Sequence, residues 1–374
     1  MKYYIIAGEA SGDLHGSNLI RALKKEQADA EFRFWGGDLM QKAGGELVKH
    51  YKDLDFMGFI EVIANLRTIL GNIKFCKKDI EKHQPDAVIL IDYPGFNLRI
   101  AEFVKSLGIK VFYYISPQVW AWNQKRAYKF KKLIDQMFVI LPFEKEFYKK
   151  FDYEVEYVGH PLLDAIEKRD TSAERNKELR TELNLGEKPI VLLLPGSRKQ
   201  EINTILPIML KQSEHFTNHQ FVIAAAPSLD LDFFDSYKKV YPSLKVVPNR
   251  TYDLFQLASA ALVTSGTATL ETALFDVPEV VCYKGSFISY QIAKRLIKVN
   301  YISLVNLVMD REVVKELIQA QLNEKLLKEE LGKLLKDEAY RTQMLNNFEE
   351  LKTKLGGGGA SSKTAHLIAQ ATQK

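Results

Sequence analysis

Short apolar runs recur along this chain, with helical patterns between them. In the first half they are Tyr3–Ala7, Phe32–Trp35, Ala87–Ile91, Val111–Ile115 and Met137–Leu141. In the second half they are Ile190–Leu194, Gln220–Ala224, Leu244–Val247, Ala260–Val263 and Val280–Tyr283. Continuous apolar runs suit strands buried on both faces. Their alternation with helical stretches such as Leu19–Lys25 and Leu98–Leu107 calls for parallel sheets covered by helices. Between the halves lies Glu167–Lys188, charged and poor in large apolar side chains, which reads as a linker with a short surface helix. The expected fold class is α/β: two doubly wound, Rossmann-like domains facing a central cleft. The first domain spans 1–168 and the second 175–344. Glu312–Leu355 reads as helical and highly charged, the tetrad Gly356–Gly359 breaks it, and Ala360–Gln373 can form one last helix. The C-terminal helices 345–374 are expected to complete the first domain.

Composition narrows the function classes. A chain of 374 residues exceeds one typical core. A hydrophobic content of 46% and a charged content of 26% fit a globular protein. The net charge of +5 suits an anionic ligand or membrane surface and is too small to argue for nucleic acid. Two cysteines, Cys76 and Cys282, give no disulfide framework and favour a cytoplasmic home. The apolar stretch at the N-terminus is too short for a signal peptide, and Glu9 and Asp13 follow it. No apolar run is long enough to span a bilayer.

Chemistry concentrates where apolar runs end, because ligands of open α/β sheets bind beyond the carboxyl ends of the strands. The run Ile190–Leu194 stops at Pro195-Gly196, and Ser197 and Arg198 follow at once. A hydroxyl, backbone N–H groups and a guanidinium suit a phosphate or diphosphate, although Gly-Ser-Arg is also an ordinary solvated turn. The run Ala260–Val263 leads into Thr264-Ser265-Gly266-Thr267-Ala268-Thr269-Leu270-Glu271. Here Ser265 or Thr267 sits near a helix N-cap, and Glu271 shares the helical face of Thr267. A capping box with a first-turn acid reads the same way. Asp92 follows the run Ala87–Ile91, so its carboxylate emerges at a strand end, as a general base or as an Asx turn before Pro94. Asn97 can orient Asp92, touch a sugar, or cap a helix starting at Leu98. In the first strand–helix connection, Ser11 and Asp13 suit helix caps and Gly12 permits a close approach. The glycines Gly8, Gly12 and Gly16 do not form the dinucleotide fingerprint, which counts against a nicotinamide enzyme. Asp53-Leu54-Asp55 and Asp230-Leu231-Asp232 follow no apolar run and read as solvated loop acids rather than a metal site.

Several motifs occur in a fixed order: Gly8-Glu9-Ala10-Ser11-Gly12-Asp13, Ile91-Asp92-Tyr93-Pro94-Gly95-Phe96-Asn97, Ser116-Pro117-Gln118-Val119-Trp120-Ala121-Trp122, Leu141-Pro142-Phe143-Glu144, Gly159-His160-Pro161, Leu194-Pro195-Gly196-Ser197-Arg198, Ser265 to Glu271, and Tyr301-Ile302-Ser303-Leu304-Val305-Asn306-Leu307. Together, from Tyr4 to about Leu317, they resemble the lipid-A-disaccharide synthases, inverting glycosyltransferases of the two-domain B type. The resemblance implies a metal-independent, cofactor-free transfer of 2,3-diacylglucosamine from its UDP derivative to 2,3-diacylglucosamine 1-phosphate. It places the essential aspartate at Asp92. It assigns Gly196, Ser197, Arg198, Ser265, Gly266, Thr267, Glu271 and Asn306 to the nucleotide sugar, with Glu271 on the ribose hydroxyls and Arg198 on the departing diphosphate. Glu9, Ser11, Gly12, Asp13, Asn97, Gln118 and Trp120 are assigned to the acceptor sugar. His15 reads as a helix-face residue, and His160 as part of a turn or an interdomain hydrogen bond. The alternative is a UDP-N-acetylglucosamine 2-epimerase-like isomerase, which shares the two-domain plan and needs no lipid entrance.

Acylated substrates imply a greasy entrance. Phe59, Ile60, Val62, Ile63, Leu66, Ile69, Leu70 and Ile73 recur at helical spacing, with Arg67, Lys74, Lys77 and Lys78 beside them. Such a stripe is either the buried face of a core helix or a helix lying on an anionic bilayer. The basic-aromatic stretch Trp120–Lys132 and the segment Phe287–Tyr301 are further candidate surfaces. The partners implied are the two lipid substrates, the inner-membrane surface of a Gram-negative bacterium in a peripheral mode, and no nucleic acid. A homodimer is compatible with this reading.

Overall fold

The computed structural model describes every residue except 55–65, 167–168, 228, 286–299 and 374. It contains two compact units: Met1–Asp164 together with Leu355–Lys374, and Ala165–Lys354. The chain returns to the first unit at Leu355, later than the expected 345. Helix Glu338–Lys354 stays with the second unit because Met344, Phe348 and Leu351 bury their side chains there. Arg311 also pairs with Glu350, and Lys352 with Asp276.

The first unit holds a seven-stranded sheet. Its strands are β1 (Lys2–Ala7), β2 (Glu31–Gly36), β3 (Glu46–His50), β4 (Ala87–Ile91), β5 (Lys110–Tyr114), β6 (Gln136–Val139) and β7 (Glu156–Tyr157). The order is β3-β2-β1-β4-β5-β6-β7, and each neighbouring pair is parallel. The order reverses between β1 and β4, where Ala7 lies beside Ile91. The core runs through Tyr3, Ile5, Phe34, Ile89, Phe112 and Phe138, and the last helix, Ala360–Gln373, closes it with Ala360, Ala365 and Ile368.

The second unit holds a six-stranded sheet. Its strands are β8 (Ile190–Leu194), β9 (Gln220–Ala225), β10 (Lys245–Pro248), β11 (Ala258–Thr264), β12 (Glu279–Tyr283) and β13 (Lys315–Ile318). The order β10-β9-β8-β11-β12-β13 is again all parallel. Its reversal falls between β8 and β11, where Leu194 lies beside Val263. These two reversals are the switch points at which doubly wound sheets open a binding crevice.

One expected element is different. Lys315–Ile318 was expected to be helical with its charged surroundings, yet it forms β13. It is an edge strand, and its Glu316 turns inward to serve backbone donors, so charge there does not mark a solvated helix face. The segment Glu167–Lys188 carries the helix Ala173–Glu182, capped by Ser172.

Candidate functional site

In the first unit, the chemistry gathers just past β1 and β4. Gly8 follows β1, and a Cβ there would lie 2.5 Å from the Tyr93 ring. Only glycine lets that ring close over the β1 end. Asp92 follows β4 with φ +42, and Tyr93 follows with φ +49. Two successive left-handed residues that are not glycine are strained and persist only where the surroundings hold them. Here the Asn97 amide donates to the Ile91 carbonyl at 3.2 Å and the Asp92 carbonyl at 2.7 Å. The Tyr113 hydroxyl donates to the same Asp92 carbonyl. Helix Pro94–Ser106 starts before Asn97, so Asn97 caps nothing; it orients the Asp92 turn.

Burial pushes the Asp92 carboxyl up to about 7, the nearby charge of Glu9 adds to the rise, and a hydrogen bond from the Tyr93 backbone opposes it. A carboxylate that titrates near neutrality is poised for proton transfer at neutral pH.

The other expected acceptor residues divide. Glu9 stands at the N-cap of helix Ala10–Glu26 and half-exposes its side chain beside Asp92. Ser11 is exposed in the first turn. Gly12 is buried, and a Cβ there would meet the Ala7 Cβ at 3.0 Å, so it serves close helix–strand packing. The Asp13 carboxylate is already engaged: it accepts from the N–H groups of Gly37, Leu39 and Met40 and so caps the helix Asp38–Ala43. Gln118 is exposed at the start of the short helix Val119–Trp122. Trp120 is only 5% exposed and packs edge-on against Phe143, which makes it core rather than a ligand platform. Its neighbour Glu144 forms a capping box with Leu141 and accepts from the Ile140 and Leu141 N–H groups. Burial raises the Glu144 carboxyl to about 8 against those bonds. His15 and His160 are buried, which depresses their imidazoles to about 4 and about 3, so both are neutral.

In the second unit, two loops emerge side by side past β8 and β11. Gly196, with φ +103, makes the turn that exposes Ser197 and Arg198. The Arg198 side chain is 62% exposed and pairs with Glu201 at 3.0 Å. A surface pair of this kind is weak, so the guanidinium is free to turn to an anion. Arg198 is also the N-cap of helix Lys199–Lys211. Helix Thr267–Leu274 starts beside it, with Gly266 at its N-cap and Thr267 exposed. Two helix N-termini and a guanidinium past neighbouring strand ends could receive an anion. The Ser265 hydroxyl donates to the Ile302 carbonyl at 2.9 Å, which ties this loop to the next segment. Glu271 accepts from the Tyr252 hydroxyl at 2.9 Å, and burial raises its carboxyl.

Asn306, expected to touch the nucleotide, has no free polar atom. Its oxygen accepts from the Val313 and Val314 N–H groups, and its amide donates to the Val314 carbonyl and to Glu316. Glu316 in turn accepts from the Ile302 and Ser303 N–H groups. This buried pair is therefore a brace under the peptide that Ser265 contacts. Residues that the sequence did not single out are Tyr113, Tyr252 and Glu316. The run Tyr113-Tyr114 at a strand end was the signal for the first; for Glu316, hidden in a charged stretch, there was none.

The apolar stripe is described only in part. Phe59, Ile60, Val62 and Ile63 lie outside the described residues, as do the Leu66 side chain and most of Phe287–Tyr301. In helix Leu66–His83, Ile73 is 7% exposed and faces the core with Cys76 and Ile80. Leu70 and Phe75 are 52% and 48% exposed, and Ile69 is half-buried. The observed stripe is thus split between the core and the surface. Among the described residues, no cluster of His, Cys, Asp or Glu is placed to hold a metal, and no helix is long and apolar enough to cross a membrane.

The lipid-A-disaccharide synthetase family profile matches residues 3–371. The lipid-A-disaccharide synthase of Trichlorobacter lovleyi is 40% identical over 97% of this chain and 96% of its own. Those of Syntrophus aciditrophicus and Coxiella burnetii are 41% and 37% identical over 96% and 97% of this chain, and 95% and 96% of their own. Among solved structures, the UDP-GlcNAc 2-epimerase of Neisseria meningitidis, bound to UDP-GlcNAc, superposes with a TM-score of 0.71 at 14% identity, covering 99% of this chain and 100% of that one. The glycotransferase of kitacinnamycin superposes with a TM-score of 0.66, also at 14% identity, over 99% and 98%. At such identity these structures share the fold.

Proposed function

The chain belongs to the lipid-A-disaccharide synthase family, and from that premise we propose how its residues divide the work. It is a UDP-sugar-dependent glycosyltransferase of the two-domain B type. The reaction moves 2,3-diacylglucosamine from UDP to 2,3-diacylglucosamine 1-phosphate with inversion and releases UDP. Inversion by direct displacement needs one base on the attacking hydroxyl and stabilisation of the leaving diphosphate.

The observation that carries the assignment of the base is Asp92: a carboxyl at the switch point of its sheet, raised toward neutrality by burial. Asp92 takes the proton of the acceptor hydroxyl as that oxygen attacks the anomeric carbon. Arg198 and the N-termini of helices Lys199–Lys211 and Thr267–Leu274 receive the charge that develops on the diphosphate. Glu271, oriented by Tyr252, accepts the ribose hydroxyls. This set requires no divalent ion, so a chelator leaves turnover unchanged; strict dependence on added Mg²⁺ would contradict it.

The exposed Leu70 and Phe75, with Arg67 and Lys74 nearby, support a peripheral approach to an anionic bilayer where both lipid substrates reside. The isomerase alternative rests on shared fold alone, whereas the full-length relatives at 37–41% identity are synthases. Incubation with UDP-diacylglucosamine and diacylglucosamine 1-phosphate tests the assignment. Disaccharide and UDP are the expected products; an epimerised donor with no disaccharide would replace this reading.

A further inference from the structure

The turn carrying Asp92 is held by one group within its own motif, Asn97, and one on the neighbouring strand β5, Tyr113. Asp92 and Tyr93 both sit in the left-handed region, a conformation that costs a non-glycine residue about 1–2 kcal/mol. The following Pro94 starts a helix, so the chain must turn from strand to helix within these two residues. The Asp92 N–H still donates to the Tyr114 carbonyl of β5, at 3.3 Å. The Asp92 carbonyl points inward, where two donors converge. One is the amide of Asn97, a residue with no exposed surface. The other is the hydroxyl of Tyr113, also with no exposed surface. The Tyr113 ring is fixed edge-on to Phe130, with centroids 5.3 Å apart, and its hydroxyl also lies beside the Asn97 side chain, the other arm of the same grip. On the far side, the Tyr93 ring stacks with Phe96 and covers Gly8.

We propose that Tyr113 is a positioning residue for the transfer reaction: its buried hydroxyl, with the Asn97 amide, clamps the Asp92 carbonyl and holds the strained turn from which the Asp92 carboxylate projects. The proposal rests on Asp92 being the base. Its logic is geometric. A carbonyl held from two directions cannot rotate about the flanking bonds, and that rotation is what would return Asp92 to an ordinary backbone conformation and move its carboxylate. Tyr113 touches no substrate. Its influence reaches the reaction only through the turn, so its loss should weaken the chemical step and leave binding intact. Displacements of about 1 Å at a reacting group can cost about a hundredfold.

The test is steady-state kinetics on the full-length Tyr113→Phe enzyme, beside Asp92→Asn and Asn97→Ser. Tyr113→Phe removes one oxygen and keeps the ring against Phe130. The expected result is a kcat lowered about tenfold to a hundredfold, with KM for donor and acceptor within about twofold of the wild type and the melting temperature close to it. If Tyr113→Phe does not fold, Asn97→Ser, which shortens the other arm of the clamp, must show the same split between kcat and KM. Native kcat in the folded variant overturns the proposal, as does a loss shared equally by KM. Asp92→Asn separates the premise: if it is inactive while Tyr113→Phe is native, the clamp fails and the base stands. If Asp92→Asn turns over normally, the base assignment fails and the proposal falls with it.

Discussion

The Asn306 amide donates to the Glu316 carboxylate at 2.9 Å, inside the second unit where neither side chain is free. The pair satisfies the N–H groups of Ile302, Ser303, Val313 and Val314, and the Ile302 carbonyl receives the Ser265 hydroxyl. The loop proposed to meet the nucleotide thus rests on a buried hydrogen-bond network.

Asn306→Ala should therefore act first on stability. It leaves the Val313 and Val314 N–H groups without their acceptor, and each buried, unsatisfied group costs about 1–3 kcal/mol. Urea denaturation should show a loss of at least about 2 kcal/mol, with UDP affinity falling as a consequence. Native stability with lost UDP affinity would make Asn306 a direct ligand instead.

Asp92→Asn should abolish turnover and spare UDP binding. The amide keeps the shape and removes the base, and loss of general-base catalysis costs roughly 10²–10⁴-fold. Product formation and calorimetric UDP titration read the two effects separately. A kcat near the wild type would eliminate Asp92 as the base.

The pH dependence follows from the same carboxyl. Asp92 must be ionised to act, so kcat/KM should rise with pH through about 7. Glu9 is one of the causes of the raised value, and Glu9→Gln removes its charge. The acid limb should then move to lower pH, whatever the variant loses in absolute rate; an unmoved limb would uncouple the two carboxyls. The stability sign is opposite. The folded value lies above the ordinary 3.8, so the contribution of Asp92 to stability is lost as pH rises from about 4 through 7. Asp92→Asn should accordingly melt no lower than the wild type at pH 8.

Arg198→Ala and Glu271→Ala should each weaken UDP binding, because each removes a charged hydrogen bond worth roughly 1.5–3 kcal/mol. Calorimetry checks both. Unchanged affinity in the two variants would put the nucleotide elsewhere.

At the membrane, Leu70→Glu combined with Phe75→Glu should lower binding to anionic vesicles while UDP binding persists. Both side chains are about half exposed, so the fold should tolerate the change. Added salt should weaken the remaining binding through screening. Vesicle binding by the folded double variant at the wild-type level would assign the contact to another surface.

The central strands were legible because burial on both faces leaves a continuous apolar run; Ala87–Ile91 and Ile190–Leu194 coincide with their strands residue for residue. At the sheet edges the reading is mixed, since an edge strand tolerates charge: the run Leu244–Val247 finds β10, but two other edges are hidden. Glu46–His50 shows no apolar run, and Lys315–Ile318 reads as part of a charged helix, for that reason. The candidate site divides similarly. Asp92 and Arg198 sit just past strand ends, and Glu271 sits one turn into the helix that follows β11, positions that sequence order reveals. Asp13 and Asn306 are polar residues at equally suggestive positions, yet backbone donors occupy them: for Asp13, the N–H groups of Gly37, Leu39 and Met40, far along the chain, and for Asn306, those of Val313 and Val314 across the next turn.

The last helix has a consequence for the order of synthesis. Ala360–Gln373 supplies core residues to the sheet formed by the first strands, Thr372 meets the Tyr3 hydroxyl at 3.1 Å, and the Asp164 carboxylate accepts from the Ser361 N–H at 3.2 Å. The opening half of the polypeptide therefore leaves the ribosome with its core unsealed and must wait for the entire intervening unit to be translated. Helix Ala10–Glu26, which packs against this last helix, is left partly uncovered until the chain is complete.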